Sequence, residues 1–118
     1  MKNSEEITAF SQSEKIKSGI IWLSQLLEQA AGLPPGEKQG AEKIIRSLAD
    51  MVCHEIRIAM GVAPDTAWDA AARHMDLAVV MIRSGVGPDA VPHLTQALSR
   101  VTGVGHRAMS TLKERDLI

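Results

Sequence analysis

Apolar residues along this chain recur at intervals of three and four, the spacing that places side chains on one face of an α-helix. Four segments show the repeat, and strict alternation typical of a strand is not found in them. Each segment therefore predicts one amphipathic helix. The four apolar stripes consist of Ile16, Ile20, Leu23, Leu27 and Ala31; Ala41, Ile44, Ile45, Leu48, Met51, Val52, Ile56 and Ala59; Ala71, Met75, Ala78 and Ile82; and Leu94, Ala97, Leu98, Val101, Ala108 and Leu112.

Glycine and proline occur together between these segments, at residues 32–36, 61–64 and 85–88. Glycine accepts the left-handed conformation that ends many helices, and proline cannot continue a helix but can open the next one. The three breaks therefore separate four elements. We predict helices near residues 11–31, 37–60, 66–84 and 89–113.

Signals at the predicted helix starts agree with these borders. Ser11 followed by Glu14 forms a capping-box pattern, in which two side chains satisfy free backbone N–H groups of a first turn. Asp89 can cap the last helix, where Pro92 is tolerated because it falls in the first turn. Residues 1–10 either extend the first helix or stay loose.

The connections between the predicted helices are short, and short connections make consecutive helices antiparallel neighbours. The length of 118 residues suits a single domain with one core. Aromatic residues are 3% of the chain and tyrosine is missing, which disfavours strands. The sequence predicts an all-α fold, an antiparallel up-down-up-down four-helix bundle formed by residues 1–118.

Charge is nearly balanced, with 13 basic and 14 acidic residues. This balance gives no electrostatic footprint for nucleic acid or for an anionic membrane, and we expect neither as a partner. Apolar runs such as residues 19–23 are far too short to cross a bilayer. A polar, acidic N-terminus and the single Cys53 favour a cytoplasmic protein.

Four apolar residues lie on the wrong side of their helices for a single core. Trp22 and Leu26 fall nearly opposite the apolar stripe of the first helix, and Leu77 and Val80 fall away from the stripe of the third. A Trp with apolar neighbours on a surface suggests an interface, so we predict self-association, most simply as a homodimer. The alternative is that the first helix is central and buried on several sides.

Gly103 and Gly105 lie inside the fourth predicted helix, where each costs about 1 kcal/mol relative to alanine. Either a neighbouring helix approaches closely at this point, or the helix kinks near Thr102. We favour the close approach.

The histidines are the only obvious chemical resource of the chain. Di-iron helical bundles place a carboxylate three residues before a histidine on two helices. No histidine here has Asp or Glu at that spacing, so we predict neither a metal nor another cofactor. The four positions are His54, His74, His93 and His106.

The segment from Met51 to Met60 carries a more specific pattern, His54-Glu55-Ile56-Arg57. It resembles the phospho-acceptor box of sensor histidine kinases, in which the histidine is followed by Glu, an aliphatic residue and Arg. Stand-alone phosphotransfer domains are four-helix bundles of similar size. The resemblance covers about ten residues of the chain.

This resemblance implies that His54 accepts a phosphoryl group from a receiver domain, that Glu55 assists as an acid/base partner and that Arg57 neutralises phosphate charge. Helical geometry predicts that His54 and Arg57 face solvent and that Glu55 lies nearer a helix–helix seam. The alternative is an ordinary amphipathic helix whose solvated side carries Asp50, His54 and Arg57.

Three functions remain open from the sequence. The first is a non-catalytic, self-associating protein-interaction module, which the missing catalytic and phosphate-binding motifs favour. The second is phosphotransfer through His54. The third is binding of a small ligand or metal in a gap lined by His74, Glu55 and Met75.

Overall fold

The computed structural model describes residues 2–118. These residues form four long α-helices, and a short 3₁₀ helix over Gly87–Ala90 precedes the last of them. The long helices are α1 (Asn3–Ala31), α2 (Pro35–Val62), α3 (Thr66–Arg83) and α4 (Val91–Glu114).

The helices pack as an antiparallel square. Helix α1 contacts α2 and α4, and α3 contacts the same two helices, so α1 and α3 lie on one diagonal and α2 and α4 on the other. The Cα atoms span 53 × 21 × 19 Å, the elongated shape of one bundle whose helix axes are aligned. The predicted all-α four-helix bundle is confirmed. None of the helices over residues 2–118 is long and apolar enough to cross a membrane.

Helix α1 begins eight residues earlier than the capping-box pattern predicted. Ser11 lies inside the helix and is exposed, so the predicted cap at this residue is wrong. The buried stripe continues toward the N-terminus through Ser13, Ala9 and Glu6, all of which are buried. Tertiary packing of this extra length makes residues 3–10 helical, and a local cap signal cannot report that packing.

Helix α3 begins at residue 66, as predicted, whereas the start of α4 differs from the prediction. Helix α3 is capped by Asp65, whose Oδ1 accepts a hydrogen bond of 2.9 Å from the Ala67 N–H. The predicted cap of α4 by Asp89 is wrong, because Asp89 belongs to the preceding 3₁₀ helix and α4 starts at Val91 with no side-chain cap. Pro92 does fall in the first turn of α4, as predicted.

The core contains one aromatic residue that the apolar stripes did not include. Trp68 is completely buried, and its indole N–H donates a 3.0 Å hydrogen bond to the Ala63 carbonyl. Two residues placed in the stripe of the second helix, Ile44 and Met51, are instead exposed. The buried residues of α2 are Ile45, Ala49, Val52, Cys53, Ile56 and Ala59, and four of them belong to the predicted stripe.

Helix α4 is continuous through both of its central glycines. A Cβ on Gly105 would contact the Oγ and Cβ of Ser13, so α1 and α4 approach closely there, as predicted. A Cβ on Gly103 would meet only the guanidinium of Arg107, 3.2 Å away. Close approach therefore accounts for Gly105, and nothing in the structure explains Gly103.

Candidate functional site

An exposed apolar surface of the bundle lies along α1 and α2. Trp22, Ile44 and Met51 are 59%, 70% and 63% exposed, values that are high for such large apolar side chains. Between them lie the half-buried Leu26 and Leu48. We call this surface the α1/α2 face and define it by Trp22, Leu26, Leu33, Ile44, Leu48 and Met51.

Two open grooves follow the α1/α2 face. One encloses about 450 Å³ and places Trp22 of α1 beside Leu48 and Met51 of α2. The other encloses about 480 Å³ and is lined by residues that include Leu26, Leu33 and Ile44. The two grooves are lined by successive stretches of the same two helices.

An ion pair closes one end of the α1/α2 face. Lys15 Nζ lies 3.0 Å from Glu55 Oε1, and the side-chain amide of Gln12 donates to Glu55 Oε2 over 3.2 Å. The hydrogen bond from Lys15 lowers the pKa of Glu55, and the bond from Gln12 adds to that effect. Glu55 is therefore held as a carboxylate at the seam between the two helices.

The border of the α1/α2 face is largely uncharged, with the exposed Lys43 beside Ile44 as an exception. Ser18, Gln25 and Gln29 lie within one or two helical turns of Trp22, and Ser47 lies one turn from both Ile44 and Met51. Charged residues are depleted in the same way from the centres of protein–protein interfaces. The surface from Ser18 to Leu33 thus has the composition of a contact surface.

The other two predicted interface residues lie elsewhere. Leu77 and Val80 are 47% and 60% exposed on α3, as predicted, but α3 is diagonal to α1 in the bundle. One turn from Val80 are Asp76 and Arg83, which form ion pairs across to α2. The structure therefore divides the four predicted interface residues between two surfaces, and only Trp22 and Leu26 belong to the α1/α2 face.

His54 lies on the exposed side of α2, as predicted. Met51 and Ile58, one turn before and after it, are also exposed, so apolar side chains border the imidazole along the helix. Arg57 is exposed as well, with Nη2 4.0 Å from Asp76 Oδ1. An accessible imidazole beside a cation and an apolar border could receive a protein partner.

Glu55 does not join His54 and Arg57 on the exposed side of α2. Its carboxylate contacts Lys15 and Gln12 of α1, and this agrees with the predicted position at a seam. A carboxylate with a lowered pKa is also a weaker base. Of the three predicted phospho-acceptor residues, His54 and Arg57 share the exposed side of α2, whereas Glu55 is hydrogen-bonded at the α1/α2 seam.

The proposed gap lined by His74, Glu55 and Met75 does not exist. Met75 is completely buried in the core, and Glu55 lies on the α1/α2 seam. His74 lies on the α3/α4 seam, where its ring centroid is 6.0 Å from that of His93. Over residues 2–118, no three His, Cys, Asp or Glu side chains gather in a group that could hold a metal ion. These residues share no cavity because they face three different directions of the bundle.

Cys53 is the only cysteine of the chain, and it is buried against the α2/α3 seam. Burial raises the pKa of its thiol to about 11, and the nearby carboxylate of Asp76 adds to this effect. The thiolate is the reactive form of cysteine, and burial disfavours that form at neutral pH.

Comparison of the chain with models of protein families, with curated proteins and with solved structures gave no match. The α1/α2 face is therefore interpreted from its own geometry. The sequence pattern identified Trp22 and Leu26 but missed Ile44 and Met51, which it assigned to the core. Their three-and-four spacing beside the buried stripe is the signal that could have revealed them.

Proposed function

We propose that this protein is a non-catalytic, self-associating interaction module of the cytoplasm, and that the α1/α2 face is its contact surface. The observation that carries the proposal is the exposure of Trp22, Ile44 and Met51 along two apolar grooves. Aromatic residues and Met are enriched at protein interfaces, and Trp is the residue type most often found as an energetic hot spot.

The size of the α1/α2 face supports this function. Its exposed apolar side chains present on the order of 500 Å² to solvent, near the upper end of what monomeric proteins display. With its polar border, a face two helices wide approaches the roughly 800 Å² per partner of a standard interface. A surface of this size is large enough to sustain a stable complex.

A second copy of the chain is the partner that this surface favours. Ser18, Gln25, Gln29 and Ser47 border the face without net charge, and Lys15 is already paired with Glu55. Because this border is largely uncharged, the surface can meet an identical surface with little like-charge repulsion. Apart from the Lys15–Glu55 pair at one end, it offers little charge with which to select an oppositely charged partner. A homodimer through this face therefore largely avoids like-charge repulsion and needs no oppositely charged partner.

Sedimentation velocity across a range of protein concentrations tests the proposal. The wild-type chain is expected to dimerise, and Trp22→Glu or Met51→Glu is expected to shift it to monomer because each would bury an unpaired charge in an apolar contact. Leu77→Glu and Val80→Glu are matched controls that replace similarly exposed apolar residues on α3. A wild-type monomer at high micromolar concentration would rule out the proposal, as would equal loss of dimer in the α3 controls.

Phosphotransfer through His54 is a second candidate function, favoured by the exposed imidazole between Met51 and Ile58 and beside Arg57. In such a step an imidazole nitrogen attacks the phosphorus of a receiver's aspartyl phosphate. The new N–P bond forms as the O–P bond to the aspartate breaks, the carboxylate leaves, and the imidazole proton passes to water. Arg57 would offset negative charge on the phosphoryl oxygens.

Incubation with phosphorylated receiver domains tests this second function. Label should move to the chain, should be stable to base and labile to acid, and should be lost in His54→Ala. His106→Ala is the matched control, since His106 is an exposed histidine on α4. Absence of transfer from every receiver, or label that persists in His54→Ala, would exclude phosphotransfer and leave the interaction function unaffected.

A further inference from the structure

The residues of the α1/α2 face follow the spacing of a second helical seam. On both helices the positions alternate in steps of three and four, as in the seam of a coiled coil. On α2 this outer seam runs beside the buried core stripe that begins at Ile45 and Ala49. The outer seam consists of Gly19, Trp22, Leu26 and Gln29 on α1, followed by Leu33 just after the end of α1, and of Ala41, Ile44, Leu48, Met51 and Glu55 on α2.

A seam with this spacing is complementary to another helix. Side chains that repeat every three and four residues pack into the grooves of a helix inclined by about 20°. On α1 the outer seam from Gly19 to Gln29 is about 15 Å long at 1.5 Å per residue, which gives nearly three turns of such contact. The occupant is therefore helical and lies nearly along the bundle axis.

Contacts between α1 and α2 show which residues of the two helices lie at the same height. Lys15 is paired with Glu55 at 3.0 Å, and a Cβ on Gly19 would lie 3.0 Å from Val52. Farther along, Trp22 shares a groove with Met51, and Gln29 shares one with Ala41. The charged pair lies at one end of the outer seam, and the apolar residues occupy the rest.

We infer that two copies of the chain pack their α1/α2 faces together about a two-fold axis parallel to the helices, and that α1 of each copy lies against α2 of the other. This inference rests on the proposed self-association and specifies its geometry. Because α1 and α2 are antiparallel, the four contacting helices form an intermolecular bundle in which each helix is antiparallel to its neighbours.

The Lys15–Glu55 pair selects this axis. Rotation about an axis parallel to the helices keeps every residue at its height, so Lys15 of one copy meets Glu55 of the second and the four charges alternate in sign. A two-fold axis perpendicular to the helices would lay α1 on α1. The charged end would then cover the apolar end near Leu33, where no charge of the second copy would offset the desolvation of the Lys15–Glu55 pair.

Cysteine cross-linking between two differently tagged chains tests the geometry. Gln29 and Gly40 are exposed, lie at nearly the same height, and a Cβ on Gly40 has no heavy atom within 4 Å. Mixed Gln29→Cys and Gly40→Cys chains are expected to form a covalent heterodimer in most molecules under mild oxidation. Neither variant alone should cross-link. The buried Cys53 remains, and the wild-type chain measures its background.

Gln25→Cys, near the middle of the apolar stretch of α1, is the matched test of the other axis. In the inferred dimer two copies of this residue are separated across the bundle and do not cross-link. Covalent Gln25→Cys homodimers without the mixed heterodimer would overturn the inferred geometry, while a dimer in sedimentation would still support the proposed function. A monomer in sedimentation would remove both.

Discussion

Replacement of Gly105 by alanine measures how closely α1 and α4 approach. The added Cβ would lie 3.1 Å from the Cβ of Ser13 and still closer to its Oγ. Two carbon atoms are most stable about 3.5–4.0 Å apart, so the helices must separate by roughly half an ångström. The Oγ of Ser13 is held in place by a 2.7 Å hydrogen bond to the Phe10 carbonyl, which limits its ability to move aside.

The net effect of Gly105→Ala is a balance of two terms. Alanine gains about 1 kcal/mol over glycine in a helix interior. Overpacking of a tight contact typically costs about 1–3 kcal/mol. We expect a net loss of about 1 kcal/mol in the free energy of unfolding.

Gly103→Ala is the matched control, on the same helix and two residues away. Its Cβ would meet only the flexible guanidinium of Arg107, so the helix-propensity gain of about 1 kcal/mol remains. The two variants should therefore differ by about 2 kcal/mol, or by about 8 °C in Tm for a domain of this size. Because self-association makes Tm depend on concentration, both variants are compared at one protein concentration.

Urea denaturation followed by circular dichroism measures the free energy of unfolding of each variant. An unchanged m-value shows that the variants expose the same surface on unfolding, so that their free energies can be compared. Ser13→Ala combined with Gly105→Ala should recover part of the loss, since the Oγ contact disappears. Equal stabilisation by both glycine replacements would refute the close approach of α1 and α4 at Gly105.

Three further predictions follow from burial. In a Trp68→Phe variant, the fluorescence of Trp22 should be quenched strongly by iodide in dilute solution and weakly at high protein concentration, where the dimer covers this side chain. Quenching that does not depend on protein concentration would contradict the interface. Burial and the neighbouring His93 lower the pKa of His74, so the unfolded chain binds a proton at a higher pH than the folded chain does. The free energy of unfolding should therefore fall as the pH drops below about 6.5. His74→Gln should flatten this dependence on pH, and an unchanged dependence would contradict the assignment to His74. The thiol of Cys53 should react with a disulfide reagent at pH 8 only after denaturant unfolds the chain, and prompt reaction in the native protein would show that it is accessible.

The elements of the fold were predictable because their signals are local. Glycine–proline pairs at residues 32–36, 61–64 and 85–88 end helices through backbone geometry, and all three breaks appear in the structure. The start of α1 was not predictable from the Ser11–Glu14 pattern. Burial of Ala9 against the rest of the bundle extends the helix, and that burial depends on residues distant in sequence.

The candidate site was predictable only in part. Helical angles alone place Trp22, His54 and Arg57 toward solvent, because each lies far from the core stripe of its own helix. Ile44 and Met51 were misassigned because an apolar residue at three-and-four spacing fits either of two adjacent stripes. The choice between those stripes depends on where the neighbouring helices lie.

The sequence by itself determined that this chain forms four amphipathic helices, where three of the connections fall and which side of α2 carries His54. These properties follow from periodicity and from backbone preferences within a few residues. Only the tertiary structure decided that Trp22 and Met51 share one groove, that Leu77 lies on another surface and that Glu55 is bound by Lys15. Those facts depend on which helices are neighbours in the bundle, and periodicity within a single helix carries no information about its neighbours.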